Sequence, residues 1–212
     1  MNKDQPSRRG YQQSPLPFAL IFSLVFISSG LSQLAPHWWV SQGKIEVLEN
    51  QMFRLNAGDT PVVAITPLQP DSTYPRLRIE WAFQLEHWKT NQSKLLLLIG
   101  TDSLQVIRLW AGGYDAQQQA IFYGVLHASP SHTTPFFSLQ PQVRKSVTLI
   151  PVQKKLYIKW VIAAEGKSQI EINGVPLSMP APLMPWHITY LGIFIAQSEV
   201  RFASPQIHWE SR

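Results

Sequence analysis

Arg76-Leu-Arg-Ile-Glu-Trp-Ala-Phe-Gln-Leu-Glu86 decides the fold class of this 212-residue chain. Leu77, Ile79, Trp81, Phe83 and Leu85 alternate with Arg78, Glu80, Ala82 and Gln84. A helix would scatter those five apolar side chains around its circumference. A strand puts them all on one dry face and leaves the others on a wet one. Further along, Leu156, Ile158, Trp160 and Ile162 repeat the alternation against Tyr157, Lys159 and Val161. Glu165-Gly-Lys-Ser168 turns the chain, and Gln169-Ile-Glu-Ile172 returns. Asn173-Gly174 then tolerates positive φ at both central positions of a tight hairpin turn, and Pro176 points to an edge or a strand end.

Other segments fit the same scheme. Leu95-Leu-Leu-Leu-Ile99 is a short continuous apolar run, read as a strand covered on both sides. A Thr-Asp-Ser turn leads into Leu104–Trp110, which makes a hairpin that Ala111-Gly-Gly-Tyr-Asp115 should break. Ala120–His127 is rich in β-branched and aromatic residues and predicts a strand. Ala128–Pro141, with three prolines and many hydroxyls, predicts a long loop. Ser146–Ile150, Trp186–Ile195 and Glu199–Trp209 complete the expected strands, and Met179–Pro185 reads as another loop. Lys44–Leu48, Met52–Leu55 and Val62–Thr66 are assigned to sheet edges. The sum is an all-β, jelly-roll-like antiparallel β-sandwich spanning 41–212.

The first forty residues read differently. From Gly10 to Gly43 there is no Asp, Glu, Lys or Arg. Between Leu16 and Ala35 stand eleven Leu, Ile, Phe or Val residues, whose insertion into a bilayer gains about 3–7 kcal/mol before Ser23, Ser28, Ser29, Ser32 and Gln33 oppose it. Pro17 suits a first helical turn and Pro36 a position beyond the end. Lys3, Arg8 and Arg9 precede the run, so residues 1–15 are expected on the cytoplasmic side. Residues 16–40 form the expected transmembrane helix or uncleaved signal anchor, with Trp38 and Trp39 at the membrane interface. The C-terminal domain then faces out of the cytoplasmic (inner) membrane as a single-pass protein. A cleaved signal peptide uses the same residues, with Phe18–Ile27 as its apolar core.

Composition narrows the function. Cysteine is absent, so disulfides and thiolate metal sites are excluded. The formal charge is +5, of which the leader supplies +2. The remaining basic residues are scattered, with Arg144-Lys145 and Lys154-Lys155 the densest points, so a nucleic-acid surface is not expected. His37, His87, His127, His132, His187 and His208 lack metal-ligand spacing, and Asp102 and Asp115 are isolated, so no metal site is assigned. No phosphate-cradling loop, Gly-x-Ser-x-Gly or His-Glu-x-x-His is present, and no cofactor is expected. Glu80 and Glu86 share a wet face but lie about 20 Å apart, too far to act on one bond, so no catalytic residue is assigned. Trp81, Trp110, Trp160 and Trp209 are expected in the core. Trp88, Tyr114, Phe136, Phe137 and Trp186 lie in or beside expected loops and are the candidate ligand-binding residues, because an exposed ring can stack on a sugar.

The layout of the later segments resembles the concanavalin A-like (laminin G-like) jelly roll. In that group an alternating strand pair precedes a small hairpin of the form x-Ile-x-Ile-Asn-Gly-Val, then a Gly-containing and a Phe-containing strand. Here these are Leu156–Ile162, Gln169-Ile-Glu-Ile-Asn-Gly-Val175, Leu191-Gly-Ile-Phe194 and Val200-Arg-Phe202 onward to Ile207. The resemblance implies carbohydrate recognition. Hydrolases of this kind carry a Glu-x-Asp-x-x-Glu strand, which this chain lacks.

Three functional expectations follow. The first is a non-enzymatic, membrane-anchored binding or accessory subunit of a cell-envelope assembly, with the lipid bilayer, an envelope protein and a glycan as partners. The second is a hydrolase with carboxylates drawn from separate strands. The third is a structural subunit whose Ser28, Ser29, Gly30 and Ser32 permit close helix contact.

Overall fold

A computed structural model describes residues 38–41, 44–89, 91–103, 106–130, 135–147 and 154–211, with backbone alone at 102–103, 106–107, 128–130 and 135–137. The expected leader and residues 16–37 of the expected span lie outside the described residues. No described helix is long and apolar enough to cross a membrane.

The described residues form fifteen strands. In chain order they are β1 (Trp39–Val40), β2 (Glu46–Val47), β3 (Phe53–Ala57), β4 (Val62–Pro67), β5 (Arg76–Trp88), β6 (Lys94–Ser103), β7 (Val106–Asp115) and β8 (Ala120–Pro130). Then come β9 (Pro135–Ser146), β10 (Lys155–Ala163), β11 (Lys167–Ile172), β12 (Val175–Pro180), β13 (Tyr190–Ala196), β14 (Ser198–Phe202) and β15 (Gln206–Glu210). Two short 3-10 turns, at Glu49–Gln51 and Pro185–His187, are the described helical elements. The strands form two antiparallel sheets, and the expected all-β sandwich is observed. Sheet A runs β1-β4-β13-β6-β7-β8-β9, and sheet B runs β12-β11-β10-β5-β14-β3-β2 with β15 also paired to β5.

The alternation read from β5 and β10 is realised. Leu77, Ile79, Phe83, Leu156, Trp160 and Ile162 are fully buried between the sheets, and their neighbours face outward. Trp160 is the largest of these side chains. Its indole N–H donates to Ser168 Oγ at 2.8 Å, and that hydroxyl sits 3.1 Å from the Val161 carbonyl oxygen, so the polar edge of the ring is satisfied inside the core. Trp81 is likewise buried, whereas Trp110 and Trp209 pack only partly against this core.

The centre of sheet A is dry on both sides, as the run Leu95–Ile99 leads one to expect. Leu95, Leu97 and Ile99 join the core between the sheets. Leu96 and Leu98 join a second buried cluster on the opposite face, with Val63, Ile65, Leu109, Ala111, Phe122, Leu126, Phe194 and Ala196.

Several expectations need correction. The Ala111–Asp115 stretch does not break its strand: β7 runs through both glycines, paired with β6 along its length and with β8 from Leu109 to Asp115. Those glycines answer to crowding. A Cβ on Gly112 would meet Ile170 Cδ1 at 2.8 Å and the Trp160 ring at 3.4 Å, and one on Gly113 would lie 2.3 Å from the Leu95 carbonyl oxygen. The loop expected over 128–141 is largely the β8–β9 hairpin, in which Gly124 opposes Pro141 at a register shift. Pro135 and Pro141 are tolerated because β9 is the last strand of the sheet and Pro141 sits at that bulge, while Pro130 is the last residue of β8. β3 and β4 are interior strands, one in from the edges taken by β2 and β1. The segment read as one strand from Glu199 to Trp209 is two, split at Ala203–Pro205. Trp186 lies in the 3-10 turn Pro185–His187, and β13 starts only at Tyr190. Ser146 ends β9, and the rest of the strand expected to Ile150 lies mostly outside the described residues.

Tyr123 offers a pH test of the core. Its ring meets Trp160 edge to face at 6.3 Å, and burial pushes its phenol from 10 up to about 12. Below pH 10 both the folded and the unfolded phenol hold the proton. Above it the unfolded phenol loses the proton first, so stability falls as pH rises through 10 to 12, by on the order of 2–3 kcal/mol in full. Denaturant midpoints measured from pH 9 to 12 should decline less steeply in Tyr123→Phe than in the native chain.

Candidate functional site

The outward face of sheet B divides into two parts. Over β2, β3, β14 and the far half of β5, arginines and carboxylates neutralise one another: Arg54 lies 3.3 Å from both Glu46 and Glu199, and Arg201 lies 3.2 Å from Glu86. At the other end of β5, Glu210 holds Arg76 at 3.3 Å and Arg78 at 2.9 Å. Exposed pairs of this kind contribute at most about 1 kcal/mol each, and they leave little polar capacity for a ligand.

Between these groups lies a different surface. Strand register lines up Gln206, Glu80, Lys159 and Glu171 across β15, β5, β10 and β11. One row away on the same face, Ala82 of β5 opposes Tyr157 of β10. The Ala82 methyl leaves open the space beside the ring, and an open groove of about 460 Å³ results. Tyr157 is 50% exposed and is the sole exposed Phe, Trp or Tyr among the described residues. Lys159 and Glu171 make no ion pair with described residues, and Glu80 has only a 3.6 Å contact to Arg78. One aromatic ring thus stands beside an ammonium, two carboxylates and an amide that can all bond to a ligand.

Local structure holds the walls in place. Asn173 and Gly174 adopt φ of 47° and 83°, as the Asn-Gly signal implies. The Tyr157 N–H donates to Asn173 Oδ1 at 2.8 Å, and the Asn173 N–H donates to the Tyr157 carbonyl at 3.0 Å. The hairpin turn is therefore locked to the backbone of the exposed ring. On the opposite wall, the buried Trp81 donates its indole N–H to the Ala203 carbonyl at 2.7 Å, which fixes the link between β14 and β15.

The aromatics proposed from sequence do not gather here. Tyr114 is buried on β7, stacked at 6.4 Å and 17° against the half-buried Trp88 at the end of β5. Trp186 is half-buried in its 3-10 turn, edge to face with His187 at 6.1 Å. Phe136 and Phe137 lie in strand β9, paired with Ser129 and Ala128, and their side chains are not among those described. Trp38 packs against Phe53, Trp81 and Phe202 at 5.9–6.2 Å, and Trp39 pairs with Ile65 in sheet A. The sandwich thus takes in the last residues of the segment expected to span the bilayer. No group of three His, Cys, Asp or Glu able to hold a metal occurs among the described residues.

Tyr157 is legible in the sequence, although it stands in a strand and not in the loops where candidate rings are expected. Its signal is an aromatic on the polar phase of an alternating strand, where the ring must face outward. The partner carboxylate for Glu80 also had to come from the fold: Glu171 lies two strands away, about 10 Å across the sheet.

No family model matches this chain, and no curated protein does. Its fold is similar to that of solved carbohydrate-binding domains. It superimposes on the carbohydrate-binding module CBM66 from Bacillus subtilis with a TM-score of 0.53 at 13% identity, covering 81% of this chain and 94% of the module. For the exoplasmic/lumenal domain of VIP36 in a Ca2+/Man-bound form, the TM-score is 0.57 at 12% identity, over 84% of this chain and 85% of that one. For the carbohydrate recognition domain of Emp46p in a metal-free form, it is 0.53 at 9% identity, over 81% and 87%. These likenesses establish the fold.

Proposed function

We propose that this protein is a non-enzymatic carbohydrate-binding domain held outside the cytoplasmic membrane by its N-terminal segment. There it serves as a binding or accessory subunit of a cell-envelope assembly. The observation that carries the reading is Tyr157, an exposed ring in a polar groove, with Lys159 and Glu171 beside it and in no ion pair with described residues. An aromatic face packs on the C–H side of a sugar ring, and carboxylate, amide and ammonium groups hydrogen-bond its hydroxyls. The similar solved structures are carbohydrate-binding domains, which supports the same ligand class. The apolar run Leu16–Ile27 behind a basic leader supports the tether, which would concentrate the groove at the membrane.

A glycan array probed with the detergent-solubilised full chain tests the ligand class. Tyr157→Ala is expected to lose at least about tenfold in affinity for any glycan retained, which corresponds to about 1.4 kcal/mol, whereas Tyr157→Phe keeps most of it. Full retention by Tyr157→Ala would refute the reading. Protease added to intact spheroplasts tests the orientation: an epitope after Arg212 should be lost, and one before Lys3 should survive.

Hydrolysis is the second reading, because Glu80 and Glu171 line one groove. Lys159 stands between them in register, where the bond to be cut would have to lie. Release of reducing sugar that Glu171→Gln abolishes would favour this reading over binding alone.

A further inference from the structure

The Tyr157 groove is not isolated. A second groove of about 300 Å³, lined by Arg76, Val161, Lys167 and Gln169 among others, lies on the same face of sheet B. The outward residues of β10 run through both grooves: Tyr157 and Lys159 line the first, Val161 and Ala163 the second. Cross-strand partners continue the series, with Ala82, Glu80, Arg78 and Arg76 of β5 facing those four positions in turn. Six residues of strand rise put the two ends about 20 Å apart, room for about four sugar rings end to end. Abreast of Val161, Gln169 and Ser178 are paired across β11 and β12 and present amide and hydroxyl groups. Val161 gives the middle of the floor a small apolar surface.

Charge narrows the ligand further. Glu80, Glu165 and Glu171 line the two grooves against Arg76, Lys159 and Lys167, and Glu210 pairs with Arg76 and with Arg78 beside them, so four carboxylates meet four cations and the lining is balanced overall. Such a lining neither attracts nor repels a chain by net charge. Its polar groups act as short-range hydrogen-bond donors and acceptors.

Resting on the Tyr157 reading, we infer that the two grooves form one trough along β10 that binds an internal stretch of about four units of an uncharged, linear polysaccharide. The terminal sugar of a branched glycan would fill only the Tyr157 end.

The test is calorimetric titration of the full chain in an amine-oxide detergent, whose headgroup carries no sugar. The probes are ladders of two to six units derived from amylose, cellulose, mannan and chitin, with oligogalacturonate as the anionic comparison. Affinity should rise at least tenfold from two units to four and stay flat from four to six. The double variant Lys167→Ala, Gln169→Ala should bring the four-unit ligand down to the two-unit level. Raising salt from 0.05 to 0.5 M should change affinity less than twofold. Equal binding of two and six units would overturn the trough while leaving the Tyr157 reading intact. Tighter, salt-sensitive binding of oligogalacturonate would overturn the uncharged-chain assignment. A Tyr157→Ala variant that binds every length as the native chain does would overturn the reading beneath both.

Discussion

Gly113→Ala is expected to cost more than about 4 kcal/mol, enough to prevent folding or to lower Tm by at least about 8 °C in a domain of this size. The new Cβ would lie 2.3 Å from the Leu95 carbonyl oxygen and 2.6 Å from Leu96 Cα. Both are backbone atoms of β6, which pairs with β7 on one side and β13 on the other, so neither can move without disturbing sheet A. Gly112→Ala serves as the internal comparison. Its nearest obstacle is Ile170 Cδ1, the flexible end of a side chain, at 2.8 Å. Overpacking there should cost about 1–3 kcal/mol. Thermal melts followed by circular dichroism would distinguish the two, and a Gly113→Ala chain melting within about 2 °C of the native one would show that the strands can separate at little cost.

Trp160→Ala is expected to destabilise by about 3–5 kcal/mol. The ring is fully buried, and its removal leaves a cavity against Gly112, where no neighbouring Cβ is present to fill it. It also takes away the indole donor to the hydroxyl of Ser168, a residue only 5% exposed. Trp160→Phe should cost less, because much of the apolar volume stays while the donor is lost. The far edge of the indole, Cη2 and Cζ3, approaches Gly112 to 3.4 Å from an ideal Cβ. A coupling therefore follows: Gly112→Ala should be less harmful in the Trp160→Phe background than in the native one, by a fraction of its own cost. The coupling is partial because the Ile170 contact remains. Urea denaturation of the four species closes the double-mutant cycle, and strict additivity would show that ring and glycine are not packed as described.

How far the sequence could be read depended on whether a residue's environment was written in its neighbours. β5, β10 and β11 were legible because apolar and polar residues alternate without interruption, and period two has one structural meaning at that length. The Asn173-Gly174 turn was legible because two successive positive φ values suit few other dipeptides. Gly112 and Gly113 misled because the reason for them lies on other strands: in β6 beside them, and in β10 and β11 of the facing sheet. Pro135 and Pro141 misled in the same way, since a proline's cost depends on whether its strand is an edge, and strand order is not local information. The site was half visible. Tyr157 could be placed on a wet face, but the row of Gln206, Glu80, Lys159 and Glu171 joins residues up to 126 positions apart in the numbering and exists only once four strands are in register.

The two outward faces of this sandwich leave unequal room for change. On sheet B, a substitution at an outward position meets water and a shallow groove, so new recognition can be tried there at little risk to the fold. On sheet A, Val63, Leu96, Leu98 and Phe122 point away from the facing sheet yet are at most 2% exposed. A polar residue at any of them is a core mutation, costing several kcal/mol if its polar atoms find no partner. Evolutionary drift in this protein should therefore be lopsided, with one wall free to explore new ligands and the other held nearly constant by packing alone.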